Sequence, residues 1–398
     1  MLCIRVFSYA LIALVMLVPG GRCNPIYSAN GIGIIIQDEG GRSSGMGGAG
    51  IAYDDGNNLL RGNPALLSSF KDFTYFLGAY YDHNTAFTGG SESPTFAKTT
   101  PHLLKLVIPL YSGIVIGWGM TPYSKTDSVI EFESGDKEEY TDKLISSGGI
   151  NISSVSIAGS YRDIIRLGFS LNYNFGVIKE EWSRAFSLTD NIHNSTYFIN
   201  KKYKGYSTTF GMIARVFKQT RVGIGYTGKA DLEKSVHVRP GDSDNPEKIY
   251  PPKTVSIPTI WRFGITSGFG QNITASIDYS RAGWEQAAHG LKEKEMYNNT
   301  YDFCAGIRVI PSQDIYASYF TKLPISAGFR AGTVYYKSYP KTDIIAEKAV
   351  TFGIEFPLRE DSGSIITTFE IGTRGEKGKN GWDETFTRIG LVLIGKVK

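Results

Sequence analysis

The chain has 398 residues, 41% of them hydrophobic, and a formal net charge of +4. That length suits two ordinary domains or one large β architecture. The lysines and arginines are dispersed, which excludes the clustered basic footprint of a nucleic-acid binder, and the five histidines and three cysteines show no metal-ligand spacing.

Residues 1–23 have the layout of a secretory signal. Arg5 supplies a positive start, and Tyr9 to Val18 form an apolar core too short to span a bilayer. Gly21 and Cys23 fit the small positions of a cleavage site. The alternative is lipidation at Cys23, against which stands Arg22 just before it. With Cys3 and Cys23 removed, Cys304 is alone and reads as a packed residue without a redox role. No later apolar run is long enough for a transmembrane helix.

Residues 24–70 have neither a strand period nor a long-helix period. Gly40 to Pro64 is glycine-rich, with Gly45, Gly47, Gly48 and Gly50 close together, and Asn63-Pro64-Ala65 forms a turn. Such a stretch is either a flexible linker or a segment threaded through a crowded interior, where glycine passes gaps that side chains cannot.

From residue 71 to 398 the expectation is strand after strand, each about ten residues long, with a period of two. Leu167, Phe169, Leu171 and Tyr173 alternate with Arg166, Gly168, Ser170 and Asn172, and Ile273, Ala275, Ile277 and Tyr279 alternate with Thr274, Ser276 and Asp278. Short turns (111–113, 162–163, 218–219, 270–271, 359–362) alternate with long polar loops near 84–101, 122–151, 179–204, 233–255, 283–299, 337–346 and 374–384. Short connections on one side and long ones on the other is an outer-membrane arrangement, and the count of about fourteen strands is even. That count treats 310–324 as an irregular turn, although Ile315 to Phe320 could form a strand. The fold class is therefore all-β, a transmembrane antiparallel barrel of about 14 strands with an N-terminal plug.

The polar face carries a glycine in almost every strand: Gly117, Gly168, Gly211, Gly223, Gly264, Gly306, Gly332, Gly353, Gly372 and Gly390. Interior glycines weaken a strand unless something approaches closely. A plug in the lumen would do so; relief of barrel curvature is the alternative. Parity also turns Arg262, Arg308, Arg330, Glu355, Glu370, Arg374, Glu384 and Arg388 inward. Arg330, Arg388 and Arg262 are candidates to hold the carboxylate of an amphipathic ligand; the alternative is that these arginines brace the wall by pairing with Glu355 and Glu370. Gly117, Gly119 and Pro122 in the third strand favour a bulge and broken pairing. No nucleophile-elbow pattern is present, so the chain reads as a non-enzyme without metal or cofactor.

Gly45-Met46-Gly47-Gly48-Ala49-Gly50, Ile51 to Asp55 and Asn63-Pro64-Ala65 resemble the plug of the FadL-type long-chain fatty acid transporters. Tyr53 stands where that family has Ala, and Leu66 where it often has Gly. The likeness continues through Val255 to Trp284, through Arg330-Ala331-Gly332, and through Glu370 to Gly375 with Glu384 and Arg388. It implies passive uptake of hydrophobic molecules, foremost long-chain fatty acids, by a monomer among the lipids of the bacterial outer membrane. Asn63, Pro64, Ala65, Gly47 and Gly48 would anchor and gate the plug. A kink in the third strand, at Gly117, Gly119 and Pro122, would open a lateral gap. The rival is a scaffold or shuttle component of a secretion system on the same fold, with Pro122 to Asn151 as a docking loop.

Overall fold

The structure, a computed structural model, describes residues 26–37, 40–88, 91–92, 96–133, 140–186, 194–241, 246–289, 291–312, 314, 316, 318–337 and 343–397. The expected signal segment, with its cleavage and lipidation alternatives, lies outside them. Fourteen wall strands follow one another around a closed antiparallel sheet. They are β1 (Phe73–Thr88), β2 (Phe96–Pro109), β3 (Ile114–Pro122 and Ser124–Glu133), β4 (Tyr140–Tyr161), β5 (Ile165–Phe186) and β6 (Ser195–Phe217). Next come β7 (Thr220–Thr227 and Ala230–Pro240), β8 (Lys248–Ile257 and Ile260–Phe269), β9 (Ile273–Ala282) and β10 (Thr300–Val309). The last four are β11 (Ile325–Lys337), β12 (Ile344–Pro357), β13 (Gly363–Arg374) and β14 (Asp383–Val397). Strand β14 pairs with β1, from Val397↔Phe73 to Asp383↔Phe87, and closes the wall. Among the described residues of 310–324 there is no strand, only a short 3-10 turn at Tyr319–Lys322, so the count stays even; Ile315 itself lies outside them.

Alternation sets which face meets lipid. Leu167, Phe169, Leu171 and Tyr173 on β5 are exposed, while Arg166, Ser170, Asn172 and Asn174 are buried toward the lumen. From Ile165 to Phe175, ten residues at a tilt of ~40° climb about 25 Å, the height of an outer-membrane apolar band. No helix among the described residues is long and apolar enough to cross a membrane; this chain crosses with strands.

Two sequence expectations need correction. The strands are not uniformly about ten residues: β4 and β5 have 22 and β6 has 23. The supposed loops 122–151 and 179–204 are largely strand, with β3 reaching Glu133 and β5 pairing with β6 as far as Arg184↔Ser195. Above the membrane both faces of a strand meet water, so the apolar/polar alternation that reveals a strand disappears while its ladder continues.

Residues 26–70 fill the lumen. Three short 3-10 turns, Ile26–Ala29, Arg42–Met46 and Pro64–Ser69, punctuate an otherwise irregular path. A Cβ added at most of the wall glycines would strike this segment. Gly117 faces Leu67; Gly168 and Gly211 face Pro64 and Ala65; Gly223 and Gly264 face Ile51; Gly306 faces Met46 and Gly353 faces Gly45. Gly328 and Gly225 add contacts with Gly47 and Gly62. Only Gly332, Gly372 and Gly390 of the ten instead meet wall side chains, those of Asp302, Phe386 and Thr368. The glycine row is thus mainly the imprint of the plug.

Replacing Gly223, 2.7 Å at its ideal Cβ from the Ile51 carbonyl oxygen, by valine should cost about 1–3 kcal/mol by overpacking. Gly159→Val, on the outer face with nothing within 4 Å, should stay within about 0.5 kcal/mol of the parent. Thermal melts of the detergent-solubilised protein, followed by heat-dependent gel mobility, make the comparison; equal melts would mean the plug adapts freely to the wall.

Candidate functional site

The plug is held by polar contacts as well as by shape. Asn63 caps the Pro64–Ser69 turn: its Oδ1 accepts from Ala65 N at 3.1 Å, and its Nδ2 donates to the Ile51 carbonyl at 2.7 Å and to the Met212 carbonyl of β6 at 3.4 Å. Pro64 and Ala65 are buried beside it. Gly47 (φ +70°) lies against the Phe329 backbone, a left-handed position that favours glycine, and its N–H donates to Thr351 Oγ1 at 2.8 Å. Gly48 sits beside the buried Cys304. Asp278 of β9 accepts from Gly50 N and Ile51 N at 2.6 and 2.8 Å. Near the short-turn end, Asp54 lies 3.1 Å from Arg166 and 2.8 Å from Arg221. Arg42 pairs with Asp55 and with Glu355, which also receives Arg308 at 2.8 Å.

A second set of charges crosses the upper lumen. Lys125 and Arg388 both reach Asp82, at 3.1 and 2.7 Å. Arg388 also pairs with Glu370, Glu370 with Arg330, Arg330 with Glu347 at 2.6 Å, Glu347 with Arg374 at 2.6 Å, and Arg374 with Glu384 at 3.3 Å. Acids and bases alternate along this chain, four of each. The guanidinium groups of Arg330 and Arg388 therefore already hold wall carboxylates. Arg262, on β8, donates to Thr227 Oγ1 at 3.0 Å and lies beside Gly62 of the plug.

The wall is interrupted at the third strand. β2 and β3 pair only from Pro109↔Val115 to Leu104↔Met120. Beyond that point β3 leaves β2. Its register against β4 passes from Pro122↔Asn151 to Thr126↔Gly148, so β3 carries one extra residue. Such a bulge bends the strand and swaps its faces. Gly117 and Gly119 remain within the regular ladder; the departure comes at Pro122 and Tyr123. Opposite lie Gly148 and Gly149, both at positive φ, with the carbonyls of Val177 and Ser124 against them.

The edge that β3 loses is taken up from inside. Ile34 and Ile35 pair with Lys125 and Ser124, and Ile36 N donates to the Tyr123 carbonyl at 2.8 Å. Lys98 of β2 reaches Asp127 at 2.8 Å across the break. On the facing edge β2 carries Pro101, which offers no N–H to a strand that might add there. Cavities of about 100 and 40 Å³ flank Ile34 to Gln37, and one of about 30 Å³ lies below Arg61. A larger concavity, about 530 Å³, is an apolar groove on the outer face, lined by Ile157, Leu167, Phe169, Phe210 and Met212.

Asp278 and Arg61 were not singled out from the sequence. Asp278 had a signal: it is an acid on the lumen side of an otherwise uncharged alternating run. Asp278→Ala should leave two buried plug N–H groups without acceptors, at about 1–3 kcal/mol each. The expected result is faster protease cleavage within residues 40–60 of the folded barrel; unchanged cleavage would show that the two bonds do not hold the plug.

Comparisons with known proteins bear on this geometry. A curated protein of Chlorobium limicola, described as an uncharacterized protein in the phosphoenolpyruvate carboxykinase gene 5′ region, is 35% identical over 75 residues, and the match spans 34% of its length. A FadL homologue of Pseudomonas aeruginosa superposes with a TM-score of 0.65 at 10% identity, covering 91% of this chain and 99% of that one. The Pseudomonas putida toluene transporter TodX gives 0.60 at 15%, covering 91% and 98%. The monoaromatic hydrocarbon channel CymD gives 0.59 at 16%, covering 90% and 98%. These likenesses show the fold, that of the FadL-type barrels, and the closed wall with its apolar belt agrees. The family model described as BamG matches residues 3–394, and the chain belongs to that family.

Proposed function

We propose that this barrel admits hydrophobic small molecules through the bacterial outer membrane, with long-chain fatty acids as the cargo class. The observation that carries the reading is the isoleucine run itself. Ile32, Ile34, Ile35 and Ile36 lie in a chamber to which Tyr123, Ile260, Trp284, Val334 and Tyr335 bring apolar surface and Arg61, Arg262, Asp302, Arg330 and Glu347 bring charge, directly inside the break in the third strand. The run is held to β3 by a two-residue strand, a short ladder to give up. A hydrophobic cargo would take its place, and movement of the plug about Gly47, Gly48 and Asn63-Pro64-Ala65 would connect the chamber to the break. On this reading residues 24–70 are the gate, residues 71–398 the wall, and the unit is a monomer among outer-membrane lipids, exported by a signal ending at residue 23. No chemistry is performed on the cargo.

A second reading is a scaffold on the same fold. It is favoured by the tightness of the lumen, where four cavities among the described residues measure about 100 Å³ or less and fall short of the ~300–1,000 Å³ of ordinary ligand sites, while a groove of about 530 Å³ faces outward.

Binding of a labelled long-chain fatty acid to the purified barrel separates the two. Uptake predicts saturable binding. It also predicts that Ile34→Ala with Ile35→Ala tightens binding about tenfold (~1.4 kcal/mol), because the run no longer competes for the chamber. A barrel of intact heat-shifted mobility that binds nothing in either form would turn the assignment to the scaffold.

A further inference from the structure

Arg61 links the chamber to the wall break. It belongs to the plug, two residues before Asn63, yet its guanidinium reaches the three residues at which β3 departs. Nη1 donates to Thr121 Oγ1 at 3.0 Å and to the Pro122 carbonyl at 3.3 Å, and the guanidinium lies 5.6 Å from the ring centre of Tyr123. Among the described residues no carboxylate lies within ion-pair distance of Arg61. That separates it from Arg330 and Arg388, each held by two acids. Arg61 and Arg262 line the same cavity of about 100 Å³, and Arg61 also borders the smaller one beneath. Of the two acids on the larger cavity, Glu347 is held by Arg330 and Arg374, and Asp302 accepts from Gln37 and Ser280 and feels the charges of Arg330 and Arg262.

We infer that Arg61 and Arg262 form an anion site for the carboxylate of an amphipathic cargo, and that binding there draws Arg61 away from Thr121 and Pro122 and loosens the break. This rests on the uptake reading above. A planar guanidinium fits a carboxylate through two parallel hydrogen bonds, a stronger arrangement than its contacts with a hydroxyl and a carbonyl. The isoleucine run and the arginines then take the two ends of one molecule: the chain displaces Ile34 to Ile36, and the head displaces Thr121 and Pro122 from Arg61. Arg61 is thereby a specificity residue for the charged head and a positioning residue for the wall.

The test uses a C16 fatty acid and its methyl ester, at a pH where the acid is ionised, with the full barrel in detergent. The parent should prefer the acid at least tenfold. Arg61→Gln should bring acid and ester to equal affinity, and Arg61→Lys should restore part of the preference. Backbone hydrogen exchange at residues 121–126 should rise with acid, not with ester, and not in Arg61→Gln. Equal affinities in the parent, or a preference that survives Arg61→Gln, would overturn the anion site while leaving uptake standing. A preference without the exchange response would overturn the coupling. Failure of the parent to bind either lipid would instead refute the uptake reading. If Arg61→Gln loses the heat-shifted mobility of the folded barrel, Arg61→Lys against the parent decides: a preference that falls supports the site, and one that stays whole overturns it.

Discussion

A chain inside a bilayer must satisfy its own backbone, because lipid offers no partner for an N–H or a carbonyl. Fourteen strands closed by the pairing of β14 with β1 meet that demand almost everywhere. The exception is the upper half of β3, which has left β2. Its carbonyl at Tyr123 is met by Ile36, its ladder at Ser124 and Lys125 by Ile35 and Ile34, and its carbonyl at Pro122 by Arg61. All four partners belong to the plug. The wall is thus incomplete without the segment it encloses, and displacement of that segment necessarily alters the wall.

Close approach is what lets this dependence extend through the lumen. Residues 45–67 lie against β3, β5, β6, β7, β8, β10, β11 and β12 wherever a lumen-facing glycine removes the Cβ that would hold the chain away. Each such glycine gives up side-chain packing in its strand and gains close contact with the plug, with its backbone at most positions and with the side chains of Leu67 and Ile51 at Gly117 and Gly264. The polar tethers then fix orientation: Asp278 accepts two adjacent N–H groups, Thr351 both accepts from Gly47 and donates to the Gly45 carbonyl, and Asn63 bridges plug and β6. Because these contacts are spread over most of the circumference, no single one carries the plug.

What the sequence disclosed follows the solvent on each face. Within the membrane one face meets lipid and the other a polar lumen, so Leu167 to Tyr173 alternate with Ser170 and Asn172 and the strand is legible. Above it, Lys179 to Phe186 face water on both sides and the same strand looked like loop. The glycine row was legible because glycine has little other reason to recur in strands. The role of Gly117 and Gly119 was not: they fit a kink in principle, yet they stay in register, and the bend arises at Pro122 from one extra residue. No composition signal records an insertion. Arg61 was equally silent, since a lone arginine in an irregular segment has no periodicity to place it.

The two groups of lumen arginines differ in what removal of a partner would cost. Arg330, Arg374 and Arg388 are buried or nearly so in a balanced chain with Glu370, Glu347, Glu384 and Asp82. Detaching one to hold a ligand would strand a buried carboxylate, a cost of about 3–5 kcal/mol in comparable broken pairs. A ligand carboxylate would have to match that before it gained anything, so this chain is better suited to bracing β11 to β14 and β1 against the half of β3 that has left β2, through Lys125. Arg61 gives up only a hydroxyl and a carbonyl, each of which could relax with the strand they belong to. Among the described residues the lumen thus holds arginines of two kinds: those paired with buried carboxylates, whose detachment is costly, and Arg61, whose hydrogen-bond partners are a hydroxyl and a carbonyl that can be exchanged at less cost.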